Sequence, residues 1–302
     1  MTAKDVHSED AAHIAAGPRV RCLCAPNPSY MTQNGTNTYL LGTGKVAVID
    51  PGPAIDAHQS QILAALSPGD SISHIFVTHA HRDHSGLAKR LSAVTGAAVH
   101  AFGGADAGRS VAMQRFAHQS GLSRGDGVDL DFQPDVLLAD GDFVTGQDWQ
   151  IEAIHTPGHM GNHLCFSVGR RLFSGDHVMG WSTSVILPPD GDMSDYLASM
   201  HKLAQRQWDQ FLPGHGSAIS NPNQRLDDLI AHRRLREAEI LAALASGATD
   251  ISALTLQVYP GLKADLTPAA AGNILAHLID LVERNMVCAD PQPGFAARYS
   301  LS

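Results

Sequence analysis

The chain is poor in cysteine, in basic charge and in long apolar runs. Four cysteines in 302 residues, Cys22, Cys24, Cys165 and Cys288, are too few for a disulfide framework. They stand in apolar runs and read as reduced core residues. Cys22 and Cys24, one residue apart, fit alternation along a strand better than a metal site. Lys plus Arg number 21 against 30 Asp plus Glu, a net charge of −9. That balance repels phosphate backbones except where a local patch intervenes. No stretch approaches the roughly 20 apolar residues of a membrane span. Residues 1–17 carry Lys4, Asp5, Glu9 and Asp10 around no signal-like apolar run, and are expected to form a disordered leader. These features lead us to expect a cytoplasmic protein with no membrane partner.

Histidine, in contrast, is abundant at 17 residues. Thr78-His79-Ala80-His81-Arg82-Asp83-His84 places four metal-ligand types within six residues, in the pattern H-x-H-x-D-H. The apolar, β-prone run at 72–78 puts them at the C-terminal end of a buried strand. His79 and His81, two apart on extended chain, point the same way. Asp83 and His84 lie at the turn into a helix expected at 85–95 and can aim at a second point. Later segments repeat the theme. Thr156-Pro157-Gly158-His159 and Leu212-Pro213-Gly214-His215 each put a His on a turn after a strand, and Ser174-Gly175-Asp176 ends another apolar strand. A rigid sheet positions such strand-end ligands well.

This ordered set resembles the metallo-β-lactamase superfamily, and Val48-Ile49-Asp50-Pro51-Gly52 matches its early aspartate. The resemblance implies an α/β fold, an αββα sandwich with the site at one edge of two facing sheets. It implies that His79, His81 and His159 hold one metal, that Asp83, His84 and His215 hold a second, and that Asp176 bridges them. Asp50 is implied to support the metal loop; which His it serves is left open. The expected cofactor is two zinc ions per chain, a donor set that iron or manganese also accepts. Asp83 is the candidate catalytic residue, both ligating and accepting a hydrogen bond from attacking water. His163, Trp181 and Ser182 are further candidates. His163 ends Met160-Gly161-Asn162-His163, where many relatives carry an acid before the His. Trp181 and Ser182 lie in a long loop after Asp176 that could form a pocket rim.

The hydrophobic content of 44% supports a sizeable core and more than one domain. A Gly-, Ser- and Asp-rich stretch at 103–134, with a helix at 111–118, reads as a surface insertion over the site. We expect a hydrolase domain at 18–220 and a winged-helix domain at 221–302, because three helices and a closing hairpin follow Gly216. The same tail marks the beta-lactamase-like protein two group, which the long helix with His232-Arg233-Arg234-Leu235-Arg236-Glu237 resembles.

Three functions follow from these features. The favoured one is a dinuclear metal-dependent hydrolase of a small ester, thioester or lactone. A single-stranded RNA endonuclease is suggested by the resemblance, but needs a basic, aromatic track. Residues 221–302 hold seven Lys or Arg against nine Asp or Glu, 7 − 9 = −2, with Arg233, Arg234 and Arg236 as one local patch. The third function, a metal-sensing DNA reader, meets the same objection. A winged helix also serves as a packing or dimerisation unit, so a homodimer is allowed.

Overall fold

The computed structural model describes residues 4–5, 17–120, 127–247 and 249–302. Most of the expected leader lies outside the described residues. Within it, β1 (Lys4–Asp5) pairs antiparallel with β2. β2 (Val20–Cys24), β3 (Asn37–Leu41), β4 (Lys45–Ile49), β5 (Ser71–Phe76), β6 (Ala98–Ala101) and β7 (Val136–Leu137) complete a seven-stranded sheet in sequence order. It is antiparallel up to β4 and parallel from β4 onward. The crossovers of the parallel half carry α1 (Asp56–Ala64), α2 (Arg82–Ser85) with α3 (Ala88–Thr95), and α4 (Val111–Ser120). The single helix expected at 85–95 is thus two, broken around Gly86 and Leu87.

The second sheet is ordered β12-β11-β10-β9-β8. Its strands are β8 (Phe143–Thr145), β9 (Gln150–His155), β10 (Leu164–Val168), β11 (Arg171–Gly175) and β12 (Gln210–Pro213). α5 (Met193–Ala204) makes the crossover to β12. Side chains alternate along each strand, and the alternation separates three apolar layers. Tyr39, Leu41, Ile49 and Phe76 meet Ile151, Phe166, Phe173 and Leu212 between the sheets. Leu40, Val46, Val48 and Ile75 point the other way, onto Ile62 and Leu91 of α1 and α3. Cys165, Leu172 and Phe211 cover the outer face of the second sheet with Tyr196, Met200 and Leu203 of α5. The result is the expected αββα sandwich.

α6 (Pro222–Ala245) then joins two cores. Leu226, Leu229 and Ile230 pack with α5 on the sandwich, while Ile240, Ala243 and Leu244 pack with the tail. That tail comprises α7 (Ile251–Val258), α8 (Thr267–Glu283) and the hairpin β13 (Val287–Asp290) and β14 (Arg298–Leu301). Met113 and Phe116 of α4 are part of the tail's core. The stretch expected merely to cover the site therefore clamps the tail. Cys165 is buried as expected, but Cys288 is exposed on the hairpin, where the strand's outer side faces solvent.

His277 in α8 is fully buried, and among the described residues neither ring nitrogen has a hydrogen-bond partner. Burial, reinforced by the nearby positive Arg233, pushes its pKa down to about 3. The folded protein keeps His277 neutral while the unfolded chain takes up a proton below its usual range. Its contribution is therefore full above the unfolded value and lost as pH falls, by about 1.4 kcal/mol per unit at most. We predict that His277→Leu gains about 2 kcal/mol on the wild type between pH 7 and pH 5 in denaturant melts. An equal gap at both pH values would show that His277 protonates in place.

Candidate metal centre

The C-terminal ends of β4, β5, β9, β11 and β12 meet at one edge of the sandwich, and backbone hydrogen bonds lock them together. Asp50 N donates to Phe76 O at 2.8 Å, Leu164 N to Thr78 O at 2.8 Å, Gly214 N to Gly175 O at 2.8 Å and Asn37 N to Gly214 O at 2.7 Å. Two turns need glycine. Gly158 has φ +141°, and a Cβ there would meet Tyr196 backbone at 2.3 Å. A Cβ at Gly214 would lie 2.6 Å from both Asp176 Oδ1 and His84 Cε1. Glycine thus lets the β12 turn pass directly beneath the side-chain cluster.

Ligand-type side chains converge there in two groups: His79, His81, His159 and Asp176, and beside them Asp83, His84 and His215, with the donor atoms of each group within 4.8 Å of one another. In the first group, His81 Nδ1 lies 2.8 Å from His79 Nε2 and 3.1 Å from His159 Nε2. Asp176 faces both groups: Oδ2 is 3.7 Å from His159 Nε2, and Oδ1 is 3.4 Å from His84 Nε2 and 3.3 Å from His215 Nε2. Asp83 Oδ2 is 3.3 Å from His215 Nε2 and receives a hydrogen bond from Thr36 Oγ1 at 3.2 Å.

The outer ring nitrogens fix the tautomers. His159 Nδ1 donates to Val185 O at 2.7 Å and His215 Nδ1 to Gly35 O at 3.2 Å. His84 Nδ1 donates to Asp50 Oδ2 at 2.9 Å. Asp50 also accepts from Thr78 N at 2.7 Å and from Thr78 Oγ1 at 2.8 Å. With its proton so used, Thr78 Oγ1 accepts from His79 Nδ1 at 3.0 Å. Asp50 therefore serves His84 directly and His79 through Thr78, which answers the question the sequence left open. In His79 and His159 the inner nitrogen is left with a lone pair facing the cluster, while in His84 and His215 the inner nitrogen faces Asp83 and Asp176.

Lone pairs and carboxylates pointed at one another repel unless a cation lies among them. Two buried atoms in the middle, His84 Nε2 and Asp176 Oδ1, have no well-formed hydrogen bond among the described residues although they lie 3.4 Å apart. Burial holds His79 well below the usual histidine range and pushes His81 down to about 3, so both are neutral and ready to ligate. On the carboxylate-rich side burial is outweighed. Asp83, Asp176 and Asp50 hold His84 well above its usual range, and Asp176 and Asp83 push His215 up to about 9. That corner draws positive charge even onto buried imidazoles. The donor set and its electrostatics fit metal ions such as zinc, iron or manganese.

The other candidates fall at different distances. The His163 ring is stacked 5.2 Å behind His79, with Nδ1 against Thr156 Oγ1 at 2.9 Å. Asn162 donates to Gly103 O and Gly104 O and anchors the start of the 103–134 stretch. The end of that stretch braces the metal motif: Val128 bridges His81, and Ser85 Oγ donates to Asp129 Oδ2 at 2.9 Å. Trp181 is 39% exposed beside Gly216, the residue after His215. The Ser182 hydroxyl instead donates to Thr183 O at 3.3 Å, and the Ser182 carbonyl is held by Arg225, so Ser182 is not brought into the cluster. Thr36, Thr78 and the Gly35 and Val185 carbonyls were not foreseen. Only Thr78, adjoining the motif, carried a sequence signal.

Asp50 has φ +50°, a conformation that Asn tolerates far better than Ala. Asp50→Asn should therefore keep the backbone but cannot accept from Thr78 N, Thr78 Oγ1 and His84 Nδ1 together. We predict an unchanged far-UV spectrum and about 10–100-fold weaker metal binding in competition with a chelator. Undiminished affinity would remove Asp50 from the metal loop.

The metallo-beta-lactamase superfamily model matches residues 31–215, and that of the beta-lactamase associated winged helix domain matches residues 251–292. The beta-lactamase-like protein 2 homolog of Drosophila melanogaster is 32% identical over 264 residues, 84% of this chain and 85% of that protein. Thioesterase pkgB of Emericella nidulans is 32% identical over 230 residues, 75% of this chain but 59% of its own length. The atrochrysone carboxyl ACP thioesterase of Passalora fulva is 29% identical over 296 residues, covering 93% and 79% of the two chains. A beta-lactamase domain protein from Burkholderia ambifaria shares the fold with TM-score 0.77 at 22% identity, across 99% of this chain and 97% of that one. Since the family model spans more than half the sequence and a relative at 32% identity matches most of its length, the chain belongs to the metallo-beta-lactamase superfamily and carries that family's associated winged helix.

Proposed function

We propose that this enzyme is a dinuclear metal-dependent hydrolase of small acyl thioesters, with esters and lactones as related substrates. The observation that carries this reading is Asp176, whose two oxygens face two groups of inward lone pairs. His79, His81, His159 and Asp176 would hold one ion; Asp83, His84, His215 and Asp176 would hold the other. Divalent ions there would polarise the scissile carbonyl and lower the pKa of water toward neutrality. Zinc suits the donor set best.

The remaining work falls to the chain. Asp83 is the most accessible of the three site carboxylates, its side chain 28% exposed against 11% for Asp176 and 3% for Asp50. Its coupling to His84 and His215 outweighs burial and keeps it ionised far below neutral pH. It can therefore accept a hydrogen bond from the attacking water and hold that water toward the carbonyl carbon. Asp176, likewise held ionised, sets the spacing between the two groups. Addition of water to the thioester releases a carboxylic acid and a thiol and requires no Ser or Cys nucleophile.

The names of the two fungal relatives support the thioester class. A groove of about 500 Å³ between the loop after Asp176 and the chain that follows His215, lined by Trp181, Ile219, Gln224 and Arg225, offers room for the part of the substrate that does not react. The basic patch that RNA would need is weakened in the structure. Arg233 is buried, and Arg236 is engaged by Glu239 and the Val258 carbonyl.

The test is turnover of an acyl-thioester and lactone panel by purified, metal-assayed protein, beside labelled single-stranded RNA. Thioester hydrolysis should fall by at least about 100-fold in Asp176→Ala with the fold retained. RNA cleavage that vanishes in the same variant, with thioesters untouched, would make the protein a nuclease. Trp181→Ala should raise KM for a long-chain thioester by about 10-fold with kcat little changed. An unaltered KM would place the acyl chain elsewhere.

A further inference from the structure

Residues 184–186 run between the metal centre and the helices that follow the hydrolase domain, and every polar backbone contact described for them is directed. Ser184 Oγ donates to Asp176 O and, at 2.9 Å, to His177 O. Val185 O takes the Nδ1 proton of His159 at 2.7 Å. Ile186 N donates to Asn273 Oδ1 in α8 at 3.0 Å. Arg233 Nη2 of α6 donates to Ser184 O, and its Nη1 reaches Asn273 Oδ1 at 3.4 Å. The segment is thus held from one side by Arg233 and Asn273, and from the other it holds His159.

Arg233 sits there at considerable expense. It is 1% exposed, its guanidinium lies over the Tyr196 ring at 5.1 Å, and among the described residues no carboxylate pairs with it. Burying an uncompensated cation is unfavourable, and an apolar side chain of similar volume would pack the α5–α6 contact better. What the guanidinium supplies that an apolar residue lacks is a pair of donors aimed at Ser184 O and Asn273 Oδ1. The same logic applies to Asn273, which is buried in an otherwise apolar stretch of α8.

We propose that Arg233 and Asn273 are positioning residues for His159, holding the 184–186 segment so that Val185 O fixes the imidazole with its Nε2 lone pair toward the first metal group. The inference rests on the reading of His159 as a metal ligand. It makes the helices after the hydrolase domain part of the support of that ligand.

The experiment uses the full chain stripped of metal, with the His159 tautomer read from ring-nitrogen NMR, followed by titration with Co(II). The wild type should show His159 protonated at Nδ1 and in slow exchange. Asn273→Leu removes the acceptor at near-constant volume. It should give mixed His159 tautomers and lower the affinity of the weaker Co(II) site by about 10–100-fold. Asn273→Asp keeps Oδ1 and should restore both. A purely structural role would lower the melting temperature of Asn273→Leu while leaving the tautomer unmoved. The proposal is overturned if a folded Asn273→Leu keeps the Nδ1-protonated form and binds Co(II) like the wild type. Arg233→Lys, which keeps the charge but loses one donor, is read in the same way. Should neither variant fold, the wild-type tautomer decides, since a His159 without an Nδ1 proton in the metal-free protein overturns the proposal. Failure of the wild type to bind Co(II) would instead overturn the ligand reading, a result the metal-free tautomer keeps distinct.

Discussion

The edge of this sandwich is organised by a repulsion that only a cation can relieve. Inner nitrogens of His79, His84, His159 and His215 are crowded together with two carboxylates, with protons held on the outer nitrogens by Thr78, Asp50, Val185 and Gly35. A protein interior avoids such an arrangement unless something compensates it. The left-handed backbone at Asp50, the close pass of Gly214 under Asp176 and the turn at Gly158 against Tyr196 all keep that convergence in place.

Precision of this kind requires a rigid frame, and the frame is made by apolar layers on both faces of each sheet. The layer between the sheets fixes how their strand ends meet. The outer layers under α1, α3 and α5 stop either sheet from sliding. The tail joins this frame through the first half of α6, through Met113 and Phe116 of α4, and through α8, whose Ala276 lies in the α5 layer and whose Asn273 bonds Ile186.

What could be read from the sequence follows from what leaves a local trace. Four ligand types within six residues after an apolar strand are visible at once, as are the turn histidines His159 and His215 and the strand-end Asp176. Alternating apolar strands and amphipathic helices gave away the layers in the same manner. Asp50 was visible as a candidate, but its partners depend on the β4–β5 register, which no short window contains. The Gly35 and Val185 carbonyls were invisible because a backbone acceptor has no residue type. Arg233 was misread as a surface cation: on a charged helix, composition does not say which face turns inward. Cys288 was misplaced for the converse reason, since an apolar neighbourhood in a two-stranded hairpin still has a side open to water.

The hydrogen bond from His215 to Gly35 closes a loop of 180 residues. A chain made from its N terminus carries His79, His81, Asp83 and His84 outside the tunnel long before the partners that complete either group exist. Loops of that span are slow to close. The centre as a whole is therefore completed only when β12 docks beside β11 and brings His215 to Gly35.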